Sequence, residues 1–277
     1  MNYKRIFHYD YAQADETTVQ VLDEVGRDNT QKSYMWCYRG GPQESPSIVF
    51  DYQETRGGCH AKDFLAGFKG YLQTDAYSGY EWIADKKEMV GVNCNAHGRR
   101  PFAELAKVTK TPGLAQEALK FYRKLYAIEA LAREDHLSVD TRYLLRNEKA
   151  PPIWQAFKEW LEYHLPKTSE QGKIGKAIHY MLAHWEGLTA YLKDGRIEID
   201  NNLIENAIRP FALGRKNWLF AGSPAGAKTG AILYSLLQTC KANQIEPYQY
   251  FCTMLNRIRQ AKTTDDYRQL LPQFIQF

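Results

Sequence analysis

The sequence has few cysteines, and none of them stands in a spacing that binds metals. Its five cysteines are scattered, odd in number and include no Cys-x-x-Cys pair. This pattern argues against both a disulfide framework and a zinc site. Unpaired cysteines are typical of proteins of the reducing cytoplasm, which is where we expect this chain to be found.

Long apolar runs are also missing. No stretch reaches the ~18 apolar residues needed to span a bilayer, and residues 1–10 lack the apolar core of a signal peptide. We therefore expect no membrane partner. Hydrophobic residues make up 44% and charged residues 25% of the 277 residues, which is typical of a globular protein of one large domain or two ordinary ones.

A strong charge of one sign is absent as well. The net charge of +4 is too small by itself to indicate nucleic-acid binding. The positions of the cations tell more, because six of them stand beside acidic motifs: Arg99, Arg100, Arg196, Arg209, Arg215 and Lys216. Such clusters are typical of a metal site that also holds a polyanion. For each cation alone, a solvated or salt-bridged surface charge is the simpler interpretation.

Hydrophobic patterns in the first third of the chain predict a mixed α/β core. Apolar and polar residues alternate loosely over residues 6–22. Strands are predicted over 33–39, 47–52, 70–75 and 89–94, with a helix over 61–68, a helix start at 77–82 and another helix that begins at Pro101. Three strands, a helix, a strand, a helix and a strand indicate a sheet covered by helices.

Residues 103–195 switch to helical periodicity. Three apolar stripes, which include Phe121, Phe157 and Met181, predict helices that pack as a core, with Pro151, Pro152 and Pro166 between them. Beyond residue 205 the sequence predicts a short strand over 217–220 and helices over 226–242 and 247–259. Ile232, Leu233, Leu236 and Leu237 are expected to face inward from the first of these two helices.

Residues 197–222 hold the densest set of ordered polar groups. Asp200 is suited to cap a helix, on which Leu203, Ile204, Ala207, Ile208 and Phe211 would form the buried face. Glu205 would lie in its first turns, and Pro210 is expected to kink or end it. A carboxylate at Glu205 is either a structural anion near the helix N-terminus or a metal ligand.

Several short motifs in this order resemble those of DDE transposases of the insertion sequence sixty-six family. The motif of the central stretch is Asp200-Asn201-Asn202, followed by Glu205-Asn206, Arg209-Pro210 and Gly214-Arg215-Lys216-Asn217-Trp218. The others are Ala14-Asp15-Glu16-Thr17, Leu72-Gln73-Thr74-Asp75-Ala76-Tyr77-Ser78-Gly79-Tyr80, Asn95-Ala96-His97-Gly98-Arg99-Arg100-Pro101-Phe102 and Leu125-Tyr126-Ala127-Ile128-Glu129. The resemblance covers nearly all of the chain.

The resemblance implies a ribonuclease-H-like catalytic domain over residues 1–277, interrupted by a helical insertion at about 103–195. It also implies metal-dependent cleavage and transfer of DNA strands, with Asp15, Asp75 and Glu205 as ligands of Mg²⁺ or Mn²⁺. These carboxylates stand 60 and 130 residues apart, so only a fold that brings distant elements together could use them in one site.

Three other carboxylates compete for these roles. Glu16 adjoins Asp15 in the sequence, and Asp51 also ends a predicted strand, so either could provide the first ligand. Asp200 could replace Glu205, although it fits a helix cap better. The residue pattern therefore leaves the first position open between Asp15, Glu16 and Asp51, and the resemblance favours Asp15 in its Asp-Glu-Thr setting.

DNA is the partner that the resemblance implies, as transposon ends and as target. We expect six residues to contact it: His97, Arg99, Arg100, Arg209, Arg215 and Lys216. A homo-oligomer on DNA and accessory proteins of the same element are further expected partners. Members of the family carry DNA-reading parts before the catalytic domain, and these are expected to be absent here, because the chain starts almost at the first acidic motif.

Two rival interpretations come from other classes of protein. Residues 222–229, which end in Lys228-Thr229, resemble a phosphate-binding loop of a nucleotide hydrolase. However, Ala227 stands where that motif requires glycine, and its Cβ would obstruct the approach of phosphate. The other rival is a DNA-binding remnant that has lost catalysis, and the intact acidic trio argues against it.

Overall fold

The computed structural model describes residues 9–109 and 111–276, and among these residues a mixed five-stranded sheet is present. Its strands are β1 (Tyr11–Gln20), β2 (Lys32–Gly40), β3 (Ser47–Gln53), β4 (Gly70–Thr74) and β5 (Met89–Asn93). Their order is β3-β2-β1-β4-β5, with β1 antiparallel to β2 and β2 antiparallel to β3. The four predicted strand ranges agree to within one residue at each end. Within the alternating segment the strand occupies 11–20, and residues 6–8 lie outside the described part.

Helices account for most of the remaining chain. They are α1 (Gly58–Phe64), α2 (Asn95–Val108), α3 (Leu114–Glu134), α4 (Val139–His164), α5 (Lys173–Ala183), α6 (Trp185–Thr189), α7 (Asn202–Trp218), α8 (Pro224–Ala242), α9 (Pro247–Ile258) and α10 (Thr264–Gln269). The predicted α/β class with a large helical insertion is confirmed. None of the described helices combines the length and the apolar character needed to cross a membrane.

Three predicted helix boundaries at prolines are not found: Pro101 does not begin a helix, Pro151 and Pro152 do not separate two helices, and Pro210 does not end one. Pro101 lies inside α2, which begins six residues earlier at Asn95, and Pro151 and Pro152 lie inside the 26-residue α4. Pro210 lies inside α7, which continues to Trp218. A proline removes one N–H donor from a helix, and here burial of the helix face outweighs that loss. In α7 this face consists of Ile204, Ala207, Ile208 and Phe211.

Two other element boundaries also differ from expectation. Helix α1 covers 58–64 rather than 61–68, because the chain turns at Gly67, whose φ is +90°. The strand predicted over 217–220 is absent from the described structure, since residues 217–218 still belong to α7. Instead Ala221 forms a single bridge with Val21.

Helix α8 contacts β3 partly through polar side chains, so the prediction that Ile232 and Leu233 face inward was wrong. Leu236 and Leu237 are half-buried, and Leu236 packs against an apolar cluster as predicted. Ile232 and Leu233 are exposed, whereas Ser235 and Thr239 are buried against the edge strand β3. The hydroxyl of Ser235 accepts the N–H of Phe50 at 2.8 Å, and that of Thr239 accepts the N–H of Ile48 at 3.0 Å. Backbone N–H groups at the edge of a sheet need hydrogen-bond partners. Hydroxyl groups on this face of the helix provide them, and leucine side chains could not.

The strands β1, β2 and β3 separate two apolar clusters by the alternation of their side chains. One face, the Trp36 face, carries Ala12, Ala14, Trp36, Tyr38 and Val49, which pack with α1. The opposite face, the Cys37 face, carries Val19, Met35, Cys37, Ile48 and Phe50, which pack with Ile204, Ala207, Ile208 and Phe211 of α7 and with Ala227 and Ala231 of α8.

The chain folds as two compact units. The first contains the residues up to Leu72, Tyr77–Met89 and those from Leu203 onward; the second contains Gln73–Ala76 and Val90–Asn202. The predicted insertion at 103–195 therefore lies within the second unit.

A buried ionic network stabilises the second unit. Glu129 is fully buried, and its carboxylate accepts hydrogen bonds from Arg142 at 2.7 Å and from Arg146 at 2.7 Å. Arg142 also binds Glu198 at 2.8 Å, and Arg146 donates to the carbonyls of Tyr191 and Asp194. Burial alone would raise the pKa of Glu129, but donation from Arg146 and Arg142 holds that pKa below its usual value.

Glu129→Gln should lower the free energy of unfolding by about 3–5 kcal/mol, because it leaves the buried guanidinium of Arg146 without its anion and leaves Arg142 with Glu198 alone. Glu134→Gln, at the exposed end of the same helix, is the matched control and should change it by less than ~0.5 kcal/mol. Urea denaturation of both variants measures the difference.

The decrease in the free energy of unfolding caused by Glu129→Gln should also depend on pH. Because the folded-state pKa is lowered, the contribution of Glu129 is present above the unfolded value of ~4.3 and is lost as the pH falls through the folded-state pKa. The two variants should therefore converge in acid. A difference that stays constant down to the acid transition would contradict the assigned charge state.

Candidate functional site

Asp15 lies in the middle of β1, the central strand of the sheet. It pairs with Cys37 of β2, and directly opposite residues of an antiparallel pair point to the same side. Asp15 is therefore on the Cys37 face, against which α7 packs. Burial raises the pKa of the Cys37 thiol well above its usual value, and the nearby carboxylate of Asp15 raises it further.

Glu16, the neighbour of Asp15, is on the Trp36 face and is held by other residues. Its carboxylate forms an ion pair with Arg56 at 2.6 Å and accepts the hydroxyl of Tyr80 at 3.1 Å, and its side chain is only 1% exposed. Arg56 also stacks on the ring of Tyr77. The sequence gives no signal for this ion pair, because its partners stand 40 residues apart.

Asp51 is also on the Trp36 face, since it pairs with Trp36 across β2 and β3. It lines a cavity of about 500 Å³ together with His60 and Lys228. Burial raises the pKa of Asp51, while a hydrogen bond from Gln53 at 2.7 Å opposes that shift. Asp51 and Asp15 therefore lie on opposite sides of the sheet.

Asp75 follows directly after β4, as the sequence predicts, and belongs to the second unit. Its backbone carbonyl accepts the hydroxyl of Tyr180 at 3.3 Å. Burial raises the pKa of Tyr180 to about 12, so this hydroxyl remains a donor at neutral pH. The next residue, Ala76, has a φ of +67°, so the chain turns sharply after the carboxylate.

Glu205 lies in the first turn of α7 and is half-buried. Its neighbour in the sequence, Ile204, is fully buried in the cluster on the Cys37 face. The strand of Asp15 and the helix of Glu205 thus pack together on one side of the sheet within the first unit. Glu205 near a helix N-terminus is also favourable electrostatically.

Asp200 has a structural role in the second unit. It precedes α7 by two residues, so it lies one position before the N-cap rather than at it as predicted, and its Oδ1 accepts the N–H of Asn202 at 3.2 Å. Its other carboxylate oxygen accepts the hydroxyl of Tyr126 at 2.9 Å. Burial raises the pKa of Asp200. These bonds favour the interpretation of Asp200 as a residue that orders the start of α7.

The predicted DNA-contact residues differ in exposure. Arg99 and Arg100 are exposed on α2, where His97 is half-buried, and Arg209 and Lys216 are exposed on α7. Arg215 instead binds the protein itself.

Arg215 ties the end of α7 to β1. Its Nη1 donates to the hydroxyl of Thr17 at 3.2 Å, to that of Thr18 at 2.8 Å, and to the carbonyl of Thr18. This arginine therefore has a structural function in addition to any contact with DNA.

The rival phosphate-binding loop is not formed. Residues 224–229 are the first turns of α8, and the hydroxyl of Ser223 caps that helix by accepting the N–H of Gly226 at 3.2 Å. A phosphate-binding loop must be open so that its backbone N–H groups surround the phosphate. Here these residues are wound into a helix, which excludes that loop conformation.

Comparison with known sequences identifies relatives across the chain. A family model described as Transposase IS66 family matches residues 3–229, and one described as IS66 C-terminal element matches residues 235–273. Similar proteins from Sinorhizobium fredii (strain NBRC 101917 / NGR234) include the uncharacterized proteins y4hP, 34% identical over 96% of this chain, and y4qI, 36% identical over 94%. The chain spans about half the length of these relatives, 51% and 50% respectively.

Arg215→Ala should lower the free energy of unfolding by about 1–3 kcal/mol, because it removes charge-assisted hydrogen bonds to β1. Lys216→Ala removes the same charge from the next, exposed position and should change it by less than ~0.5 kcal/mol. Thermal denaturation of both variants tests this. Equal stability of the two would show that the bonds from Arg215 to Thr17 and Thr18 contribute nothing to the fold.

Proposed function

The chain belongs to the IS66 transposase family, and from this premise we propose that it is a ribonuclease-H-like DDE catalytic domain that cleaves DNA and transfers its strands. Asp15, Asp75 and Glu205 are the proposed catalytic carboxylates. The observation that carries the proposal is the position of Asp15 on the Cys37 face, the side of the sheet against which the helix of Glu205 packs.

The same observation supports Asp15 over its two competitors. Glu16 and Asp51 are both on the Trp36 face, away from α7. Glu16 is also neutralised by Arg56. A carboxylate already paired with a guanidinium is a poor metal ligand, because the metal would have to displace the arginine.

The three proposed ligands fit Mg²⁺ or Mn²⁺ in chemistry. All are carboxylates, the oxygen donors that these ions prefer, and all are half-buried rather than enclosed. When bound, two such ions stabilise the attacking and leaving oxygens of phosphoryl transfer. Asp15, Asp75 and Glu205 would hold them, and the cations of α2 and α7 would hold the DNA backbone.

The exposed cations support a DNA substrate. Arg99, Arg100, Arg209 and Lys216 are all exposed on the helices α2 and α7. Guanidinium groups match the geometry of phosphate. Transposon ends and target DNA, a homo-oligomer on DNA and accessory proteins of the same element are proposed as partners of the whole protein.

Asp15→Asn, Asp75→Asn and Glu205→Gln should each abolish metal-dependent strand transfer, by at least about a hundredfold. Each change keeps the shape of the side chain and removes the anion that would hold the metal. The assay uses DNA with pre-cleaved ends, so that strand transfer is measured independently of end cleavage. DNA binding should survive, because other residues supply the cations.

Asp51→Asn is the matched control for Asp15→Asn. It removes a strand carboxylate on the opposite side of the sheet, and it should leave strand transfer near the wild-type rate. Loss of activity in Asp51→Asn with full activity in Asp15→Asn would reverse the assignment of the first ligand. Full activity in Glu205→Gln would reject Glu205 as the third ligand.

The double change Arg99→Ala and Arg100→Ala should weaken binding to all DNA sequences alike and should reduce the salt dependence of that binding. Removal of each cation that neutralises a phosphate lowers the slope of log K against log salt by ~0.9. We therefore expect the slope to fall by up to about two for the pair. Binding isotherms at several salt concentrations measure the slope, and an unchanged slope would remove this pair from the DNA interface.

A further inference from the structure

A second cavity lies within the second unit and is not part of the proposed metal site. Its volume is about 420 Å³. Arg99 of α2 and Arg123 and Tyr126 of α3 form its sides, and Asp200 and Asn202 line it as well. The cavity thus combines cations, an aromatic ring and polar groups with both donors and acceptors.

Two arginines on neighbouring helices supply its positive charge. Arg99 and Arg123 are both exposed, and neither forms an ion pair with any residue that the structure describes. The nearby carboxylate of Asp200 accepts hydrogen bonds from the hydroxyl of Tyr126 and from the backbone N–H of Asn202. Two guanidiniums without an internal anion are suited to hold a phosphate group from outside.

The remaining lining suits a nucleobase. Tyr126 is half-buried, and its hydroxyl is fixed by the bond to Asp200 at 2.9 Å, so its ring is held in one orientation. Leu119 contributes an apolar surface to the same cavity. Asn202 is exposed there and offers an amide donor and an acceptor. A flat aromatic wall beside polar groups is the usual environment of a bound base.

We propose that this cavity binds a single unpaired nucleotide of the DNA substrate, with its phosphate on Arg99 and Arg123 and its base against Tyr126. A paired base cannot enter, because its edge and both of its faces are occupied within the duplex. The inference rests on the proposed function, since it names one part of the DNA on which that function acts. It adds Arg123, Tyr126 and Asn202 to the residues that contact DNA.

The test compares a duplex that carries one unpaired 2-aminopurine with the same duplex fully paired. Wild-type protein should bind the first about tenfold more tightly, within the range that one stacked base supplies, and should change the fluorescence of its 2-aminopurine. Arg123→Ala should abolish most of this preference. Lys124→Ala is the matched control: it removes the same charge from the adjacent exposed position of α3, outside the cavity, and should retain the preference.

Each outcome decides between the possibilities. If Arg123→Ala and Lys124→Ala weaken binding to both duplexes equally, the cavity is not a nucleotide site, although the proposed function stands. If wild-type protein binds neither duplex, the proposed function fails and the inference with it. If free deoxyadenosine monophosphate binds as tightly as the duplex with the unpaired base, and Arg123→Ala removes both, the site serves a free nucleotide and the proposal is overturned.

Discussion

A carboxylate buried between two guanidiniums is the interaction on which the second unit depends. Glu129 joins α3 to Arg142 and Arg146 of α4, and Arg142 extends the network to Glu198. The carbonyl of Glu198 in turn accepts the side-chain amide of Gln73 at 2.7 Å, two residues before Asp75. The ion cluster of the helical block is thus joined, through Glu198, to the strand end that precedes a proposed catalytic carboxylate.

Strand alternation separates the acidic residues by role in the first unit. A shift of one position along a strand moves a side chain to the other face, so Asp15 and Glu16 have unlike surroundings although they are neighbours. On the Trp36 face, Arg56 and Tyr80 hold Glu16 in place. On the Cys37 face, Asp15 shares its side of the sheet with α7. One residue of register therefore distinguishes a structural anion from a proposed catalytic one.

The sequence predicted the ranges of β2 to β5 and the placement of Asp75 after β4, because local alternation and turn residues determine them. It failed where distant packing overrides local preference. Pro101 was expected to begin a helix and Pro210 to kink or end one, but burial of one helix face keeps the chain helical through both. The inward face of α8 was missed because a leucine-rich stripe looks buried, and only the position of β3 shows that hydroxyls are needed there. The ion pair of Glu16 with Arg56 joins distant residues, so no local pattern reveals it.

Helix α8 has a consequence for how copies of this protein can associate. An open sheet edge invites another chain to add a strand, but Ser235 and Thr239 occupy the N–H groups of Phe50 and Ile48 on β3. Backbone pairing with another copy is therefore blocked at these two positions of β3. Assembly there must depend on side chains, such as the exposed Ile232 and Leu233 on the outer side of the same helix. Such contacts, unlike a β-ladder, are specific to the residues that make them.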